Sequence, residues 1–126
     1  MKPGNFVGLA VLASTARAGC FTGGEKWDSD KTAVLNKIDQ VCTDGTLNKE
    51  YPAGSWDDNK PIGYSWDLAS NRKVSLTIWL NNIWGNTILS TTDCKSGLKK
   101  EVNGCEHGGV SEYTHWKYKA DINAKK

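Results

Sequence analysis

Six tryptophans dominate the ligand-binding potential of this chain of 126 residues. An indole ring offers a flat face that stacks on the C–H groups of a ring-shaped ligand, while neighbouring amide, imidazole or carboxylate groups bond its hydroxyls. Such a combination of aromatic and polar side chains is suited to holding a sugar without reacting with it. The candidate residues for this role are Trp56, Asp57, Asp58, Trp66, Trp79, Asn81, Asn82, Trp84 and His115.

Each tryptophan also has core packing as an alternative role, because large aromatic side chains build much of the core of a small domain. Core packing is favoured for Trp27 and Trp116, and it is evenly balanced with exposure for Trp66. Trp56 and Trp84 lie in polar segments rich in turn-forming residues, so these two are predicted to be exposed.

The titratable residues do not predict a catalytic site. Hydrolysis of RNA needs a general acid and a general base that converge on one phosphate, and the chain has only His107 and His115 as histidines. Glycoside hydrolysis needs two carboxylates about 5–10 Å apart, and no pair of acidic residues has a spacing that indicates one. The acidic residues considered are Asp57, Asp58, Glu101, Glu106 and Glu112. No metal-ligand motif is present, so we predict a protein that is not an enzyme and needs no metal or cofactor.

The first 18 residues are predicted to be a signal peptide. Lys2 supplies a positive start, residues 6–13 are apolar, and Ala16-Arg17-Ala18 fits a signal-peptidase site. A membrane helix needs about 20 apolar residues, which this run does not reach, so no membrane span is predicted. We therefore expect residues 19–126 to form one secreted, extracellular domain.

Removal of this leader changes the charge of the protein. The full chain has 16 basic and 14 acidic residues, and the leader takes Lys2 and Arg17 with it. A neutral domain without a basic stripe is a poor nucleic-acid binder, because neutralisation of phosphates supplies most of that affinity. Nucleic acid is therefore not an expected partner. The sequence leaves open whether the domain forms a homodimer.

Helical periodicity and the four cysteines predict how the domain is cross-linked. Apolar residues recur at helical spacing over residues 30–42 and again from about residue 92 to 102. If the segment after Cys94 is helical, Cys94 and Cys105 lie about 16 Å apart, whereas a disulfide needs Cα atoms within about 7 Å. Pairing of Cys94 with Cys105 is thus disfavoured and, by elimination, so is pairing of Cys20 with Cys42. The two crossed pairings both remain open.

The strands are predicted from alternation of apolar and polar residues. Residues 64–69 and 73–80 flank a short turn and predict a hairpin, residues 46–51 and 87–90 predict short strands, and residues 111–120 predict a last strand. Together these elements predict the α+β class, with two helices packed on an antiparallel sheet of about four strands, stabilised by disulfides.

Four segments also resemble a known family of small secreted fungal proteins. These segments are Cys20 to Gly24 with Trp27, Cys94 to Leu98 with Glu101, Gly104 to Ser111, and Trp116 to Asp121. Their order and spacing are similar to those of the fungal glycan-binding-protein domain known from a mushroom lectin. The resemblance implies an αβα-type sandwich, secretion, and carbohydrate binding in at least one member.

The chain departs from that pattern at two places where members commonly have cysteines, residues 61–65 and 123–126. Their joint absence is what loss of one disulfide would produce. The function expected from residues and resemblance is non-catalytic binding of glycans or glycoproteins. The alternatives are an effector-like protein that binds a host or competitor protein and, less favoured, a small hydrolase or ribonuclease.

Overall fold

The computed structural model describes residues 17–58 and 60–125. The strands are β1 (Arg17–Cys20), β2 (Glu50–Tyr51), β3 (Ile62–Asp67), β4 (Arg72–Leu80), β5 (Thr87–Ile88), β6 (Gly108–Glu112) and β7 (Trp116–Ala124), and the helices are α1 (Lys31–Val41) and α2 (Thr91–Gly104). Residues 1–16 of the predicted leader lie outside the described residues. Arg17 and Ala18 belong to β1, so cleavage after Ala18 would leave Gly19 and Cys20 in that strand.

Five strands form one antiparallel sheet in the order β1-β6-β7-β4-β3, and β2 pairs with β5 in a separate two-stranded sheet. The predicted α+β class is therefore confirmed, with five strands in the main sheet rather than about four. The predicted hairpin is β3–β4, and its register joins Ile62 to Ile78 and Asp67 to Lys73. None of the helices that the described residues form is long and apolar enough to cross a membrane.

The two faces of the sheet have different environments because strand side chains alternate. On β4 the apolar row Val74, Leu76, Ile78 and Leu80 is buried, whereas Ser75, Thr77 and Trp79 on the opposite face are half-buried. The buried row packs with apolar residues of both helices in a single core cluster. The side chains that the helices contribute to this cluster are Val34, Leu35, Ile38, Val41, Cys94, Leu98 and Val102.

Both helices lie on the same face of the sheet. Lys37 of α1 lies over the ring of Trp66, and Gly97 of α2 lies against the ring of Tyr118. By strand register, both aromatic side chains share the face of the buried row on β4. The described residues therefore form two layers, helices on sheet, instead of the three layers of an αβα sandwich that the resemblance implies.

The predicted last strand is in fact a hairpin. Residues 111–120 are divided between β6 and β7, which pair from Glu112–Lys117 to Gly108–Asp121. The turn between them is closed by a hydrogen bond from the Tyr113 amide to the Trp116 carbonyl, at 2.8 Å. The prediction of one strand was wrong because this turn contains neither glycine nor proline, so nothing in the alternating pattern interrupts it.

The structure contains one of the two crossed disulfide pairings. Cys20 is bonded to Cys105 and Cys42 to Cys94, with Cα atoms 5.2 Å and 5.6 Å apart. The exclusion of Cys94–Cys105 is thus confirmed, since a helix separates these residues. Near its start, α2 is bonded through Cys94 to Cys42, the residue after α1. Directly after its end, it is bonded through Cys105 to Cys20 of strand β1.

Arg72 attaches the segment before α1 to the β3–β4 hairpin. Its guanidinium pairs with the Asp30 carboxylate and donates hydrogen bonds to the carbonyls of Lys26 and Trp27. The Ser70 hydroxyl also donates to Asp30, at 2.6 Å. The hydrogen bond from Ser70 and the adjacent Arg72 hold the pKa of Asp30 below its usual range. This arginine has a structural role in the fold.

Candidate functional site

Trp56 and Trp79 are brought together by Lys117 on the helix-free face of the sheet. Trp79 and Lys117 are register partners on β4 and β7. The Lys117 ammonium lies 4.6 Å from the centroid of the Trp79 ring and 5.3 Å from that of the Trp56 ring. A cation over an aromatic face is attracted by the ring quadrupole. One face of each predicted stacking ring is therefore occupied by a residue of the protein itself.

Three loops converge at the same end of the sheet. The backbones of Gly54 and Asn82 exchange hydrogen bonds of 2.9 Å and 2.8 Å, which join the segment before Trp56 to the turn after β4. His115 lies 2.9 Å from the Asn81 carbonyl through its Nδ1 atom. Asn82 and His115 therefore belong to the same end of the molecule as Trp56 and Trp79.

The predicted exposure of the two turn tryptophans holds for one of them. The Trp84 side chain is 89% exposed, whereas Trp56 is half-buried because its loop folds over Lys117. Asp57 and Asp58 are exposed on that loop, and the Ser55 hydroxyl lies 3.1 Å from the Asp58 carboxylate.

Trp66, Trp27 and Trp116 do not join this group. Trp66 is half-buried on the helix-covered face, beside Tyr64 at a centroid distance of 5.7 Å. Trp27 is 2% exposed and donates its indole N–H to the Cys105 carbonyl at 2.8 Å, which confirms its predicted core role. Trp116 packs against the core, with its ring 5.0 Å from Tyr51 in an edge-to-face arrangement.

A cavity that the sequence did not predict lies between α2 and the β6–β7 hairpin. Its volume is about 230 Å³, slightly below the usual range of about 300–1,000 Å³ for small-molecule sites. Three of its lining residues are aromatic and three carry polar side chains. The lining residues are Asp93, Ser96, Gly97, Lys100, Tyr113, Trp116 and Tyr118.

The polar wall of the cavity follows from helix geometry. Asp93, Ser96 and Lys100 lie at positions i, i+3 and i+7 of α2, which places them in one row along the helix. Ser90 is the N-cap of α2, and its hydroxyl accepts a hydrogen bond of 3.0 Å from the Asp93 amide. This N-cap fixes the first turn and therefore the start of the row.

The aromatic wall depends on the hairpin turn and on a glycine. Tyr113 precedes the turn, and Trp116 and Tyr118 follow it on β7. The rings of Tyr113 and Tyr118 meet edge to face at a centroid distance of 5.8 Å. Gly97 lies directly against the Tyr118 ring, and a Cβ atom at this position would overlap it. The absence of a side chain at Gly97 thus allows helix and hairpin to approach.

The cavity lining combines charged and polar groups with its aromatic rings. Burial, and secondarily the nearby Asp93 carboxylate, raises the pKa of Tyr118 above its ordinary value. The Lys100 ammonium lies 3.5 Å from the Tyr113 hydroxyl and 5.5 Å from the centroid of its ring. The cavity therefore offers one carboxylate, two phenols, one hydroxyl and one ammonium beside aromatic faces.

A buried carboxyl group lies one helical turn beyond Gly97. Glu101 is 1% exposed, and its Oε2 atom has no hydrogen-bond partner among the described residues. Burial raises the pKa of Glu101, and a hydrogen bond with Ser111 and the charge of Lys100 oppose this shift. The Glu101 side chain does not line the cavity, so we expect its ionisation to affect the stability of the fold.

Sequence reasoning missed the cavity for an identifiable reason. Helical spacing predicted the apolar face of α2 and not its polar row, and the opposite wall depends on the turn between β6 and β7, which the alternating pattern concealed. Within the described residues, no group of three or more histidine, cysteine or acidic side chains is close enough to hold a metal ion. Comparisons with protein-family models, curated proteins and solved structures found no match to this chain.

We expect replacement of Gly97 by alanine to destabilise the protein by a net of about 0–2 kcal/mol, because overpacking costs about 1–3 kcal/mol and the gain in helix propensity is about 1 kcal/mol. The added methyl would overlap the Tyr118 ring. Gly104→Ala is the matched control, because Gly104 is also in α2 but has open space around it. Urea unfolding measures the stability of both variants. Equal stability of Gly97→Ala and Gly104→Ala would contradict the contact between Gly97 and the Tyr118 ring.

The Glu101→Gln variant tests the buried carboxyl group. A raised pKa in the folded state means that the stability contributed by this group is full below the unfolded pKa of about 4.3 and is lost as the pH rises through the folded pKa. We therefore expect wild type to lose stability relative to Glu101→Gln as the pH rises above the unfolded pKa of about 4.3.

Thermal unfolding across this pH range measures the difference between wild type and Glu101→Gln. The control is Glu106→Gln, because Glu106 is exposed and forms only a surface ion pair with Lys26, at 3.5 Å. Such pairs contribute little to stability, about 0–1 kcal/mol. Parallel pH profiles for wild type and Glu101→Gln would contradict the burial of a carboxyl group at position 101.

Proposed function

We propose that this protein is a secreted, non-catalytic carbohydrate-binding protein whose ligand occupies the cavity between α2 and the β6–β7 hairpin. The observation that carries the proposal is the convergence of three aromatic rings with a carboxylate, a hydroxyl and an ammonium around about 230 Å³. Small-molecule sites combine mainly apolar walls with a few polar groups that fix orientation. Sugars match this combination because one face presents C–H groups and the edge presents hydroxyls.

The lining residues divide into two roles. Trp116 and the two tyrosines supply ring surface for the C–H face of a sugar. On the opposite wall the Asp93 carboxylate accepts hydrogen bonds from sugar hydroxyls, and Ser96 and Lys100 donate to them. Charge-assisted hydrogen bonds to Asp93 are the strongest of this set, so Asp93 is expected to select the hydroxyl arrangement of the ligand.

The cavity is favoured over the Trp56–Trp79 group as the ligand site. In that group the Lys117 ammonium already lies over both rings. A sugar that stacked on these faces would have to displace this cation and lose the two cation–π interactions, each about 0.5–1 kcal/mol at exposed sites. In the cavity the Lys100 ammonium lies over the Tyr113 ring, so a sugar is expected to stack mainly on Trp116 and Tyr118, whose rings line an existing space.

The carboxylates support binding without hydrolysis. Asp93 is the single carboxylate among the described residues that line the cavity, whereas glycoside hydrolysis uses two. Glu101 is nearby in sequence but is fully buried outside the lining. Secretion is supported by the two disulfides, since such bonds persist mainly in oxidising compartments. The proposed partners are accordingly extracellular glycans or glycoproteins.

A glycan array identifies the ligand, and calorimetry on the strongest binder then tests the site. We expect Asp93→Asn and Tyr113→Ala each to weaken binding about tenfold or more, because each removes an interaction of about 1.5 kcal/mol. Asp93 is exposed, and Tyr113 is half-buried at the margin of the core, so folding is expected to be retained.

Trp56→Ala and Trp84→Ala are the matched aromatic controls and should bind the glycan as wild type does. If Trp56→Ala loses glycan binding and Asp93→Asn retains it, the glycan site lies on the helix-free face of the sheet and not in the cavity. Absence of any glycan signal for the folded protein would contradict the carbohydrate-binding proposal and favour a protein partner, as in the effector-like alternative.

A further inference from the structure

The large apolar side chains that the described part of the chain exposes are concentrated in one turn and the short strand after it. Ile83 is 64% exposed, Trp84 is 89% exposed and Ile88 is 72% exposed. All three belong to residues 83–88, which we call the apolar tip. Large exposed apolar side chains that are close together in the chain point to a site for a protein or membrane partner.

The apolar tip lies within the longest uncharged stretch of the chain. Residues 74–92 contain no aspartate, glutamate, lysine, arginine or histidine, in a sequence that is 24% charged overall. Charged side chains are costly in the hydrocarbon of a bilayer, by about 2.5–3.5 kcal/mol each. Residues 74–80 of this stretch belong to the core strand β4, and protein interfaces also exclude charge from their centre but have a polar rim, so the uncharged residues 81–92 fit a lipid partner.

Several polar groups of the apolar tip are hydrogen-bonded within the protein. The Trp84 amide donates to the Asn82 side chain at 3.0 Å, and the Asn82 side chain donates to Thr87 at 3.0 Å. Thr87 in turn donates to the Gly85 carbonyl at 3.2 Å, and the Asn86 side chain accepts from the Ala53 amide at 2.8 Å. These bonds lower the cost of moving the turn away from water, where unsatisfied polar groups are penalised.

The size of the apolar tip argues against a second protein as its occupant. A fully buried tryptophan contributes at most about 250 Å², so the three side chains together offer a few hundred Å². A stable protein–protein interface needs about 800 Å² on each partner. A bilayer has no such threshold, and tryptophan is the residue most typical of the membrane–water interface.

We propose that the apolar tip docks this protein on lipid bilayers, with Trp84 at the boundary between headgroups and acyl chains and Ile83 and Ile88 beside it. The rest of the domain stays outside the bilayer. Residues Lys49 and Glu50 lie next to strand β5 and have opposite charges. These two charges offset each other, so we expect binding that does not depend on anionic lipids.

The test uses the purified protein and vesicles of pure phosphatidylcholine, which carry no sugar and no net charge. We expect the protein to sediment with these vesicles to the same extent at low and high salt. Lipids brominated in the upper acyl chain should quench the fluorescence of Trp84. This quenching should be lost in Trp84→Phe.

Trp84→Lys and Ile88→Lys should each reduce the vesicle-bound fraction at least tenfold. Thr92→Lys is the matched control, because it places the same charge at an exposed position in the same uncharged stretch, and it should bind as wild type does. Thermal unfolding confirms that all variants are folded. Since the vesicles carry no sugar, this result is independent of glycan binding in the cavity.

Three outcomes would overturn the proposal. The first is absence of binding to phosphatidylcholine vesicles by the folded wild-type protein. The second is an equal loss of binding in Thr92→Lys and Trp84→Lys. The third is self-association of the protein that Trp84→Lys abolishes, which would make a second copy the occupant of the apolar tip.

Discussion

The position of helix α2 is the constraint on which the rest of the structure depends. A disulfide from Cys94 in its first turn joins it to Cys42, and a disulfide from Cys105 directly after its last turn joins it to Cys20 in the edge strand β1. The helix is therefore held covalently at both ends. One face packs on the sheet through Leu98 and Gly97, and the adjacent row of polar side chains forms a wall of the cavity.

The two faces of the sheet serve different purposes because only one is covered by helices. The covered face packs on the core, and the cavity lies where α2 meets the β6–β7 hairpin. The open face holds Lys117 between Trp56 and Trp79, so those aromatic rings are engaged within the protein. The cavity and the apolar tip involve different residues. In our proposals, the first recognises glycans and the second contacts lipid, two ligand types that occur together at cell surfaces.

Local patterns predicted the elements better than the site. The stripes of α1 and α2, the β3–β4 hairpin and the exclusion of Cys94–Cys105 followed from periodicity and helix length, which depend on neighbours in sequence. The β6–β7 turn was missed because Tyr113 to His115 gives no turn signal. The cavity was missed with it, since its walls are 13 or more residues apart in sequence. The exposure of Trp84 was predicted from its polar context, whereas Trp56 is covered through a contact with the distant Lys117.

An NMR titration of the isotope-labelled protein with its strongest glycan ligand tests the central claim most directly. If the cavity is the binding site, the backbone amides of residues 93–100 and the indole N–H of Trp116 shift on binding, while the indole signals of Trp56, Trp79 and Trp84 stay unchanged. Shifts confined to Trp56, Trp79 and the residues around Lys117, with none along α2, would contradict a carbohydrate site built on the disulfide-anchored helix.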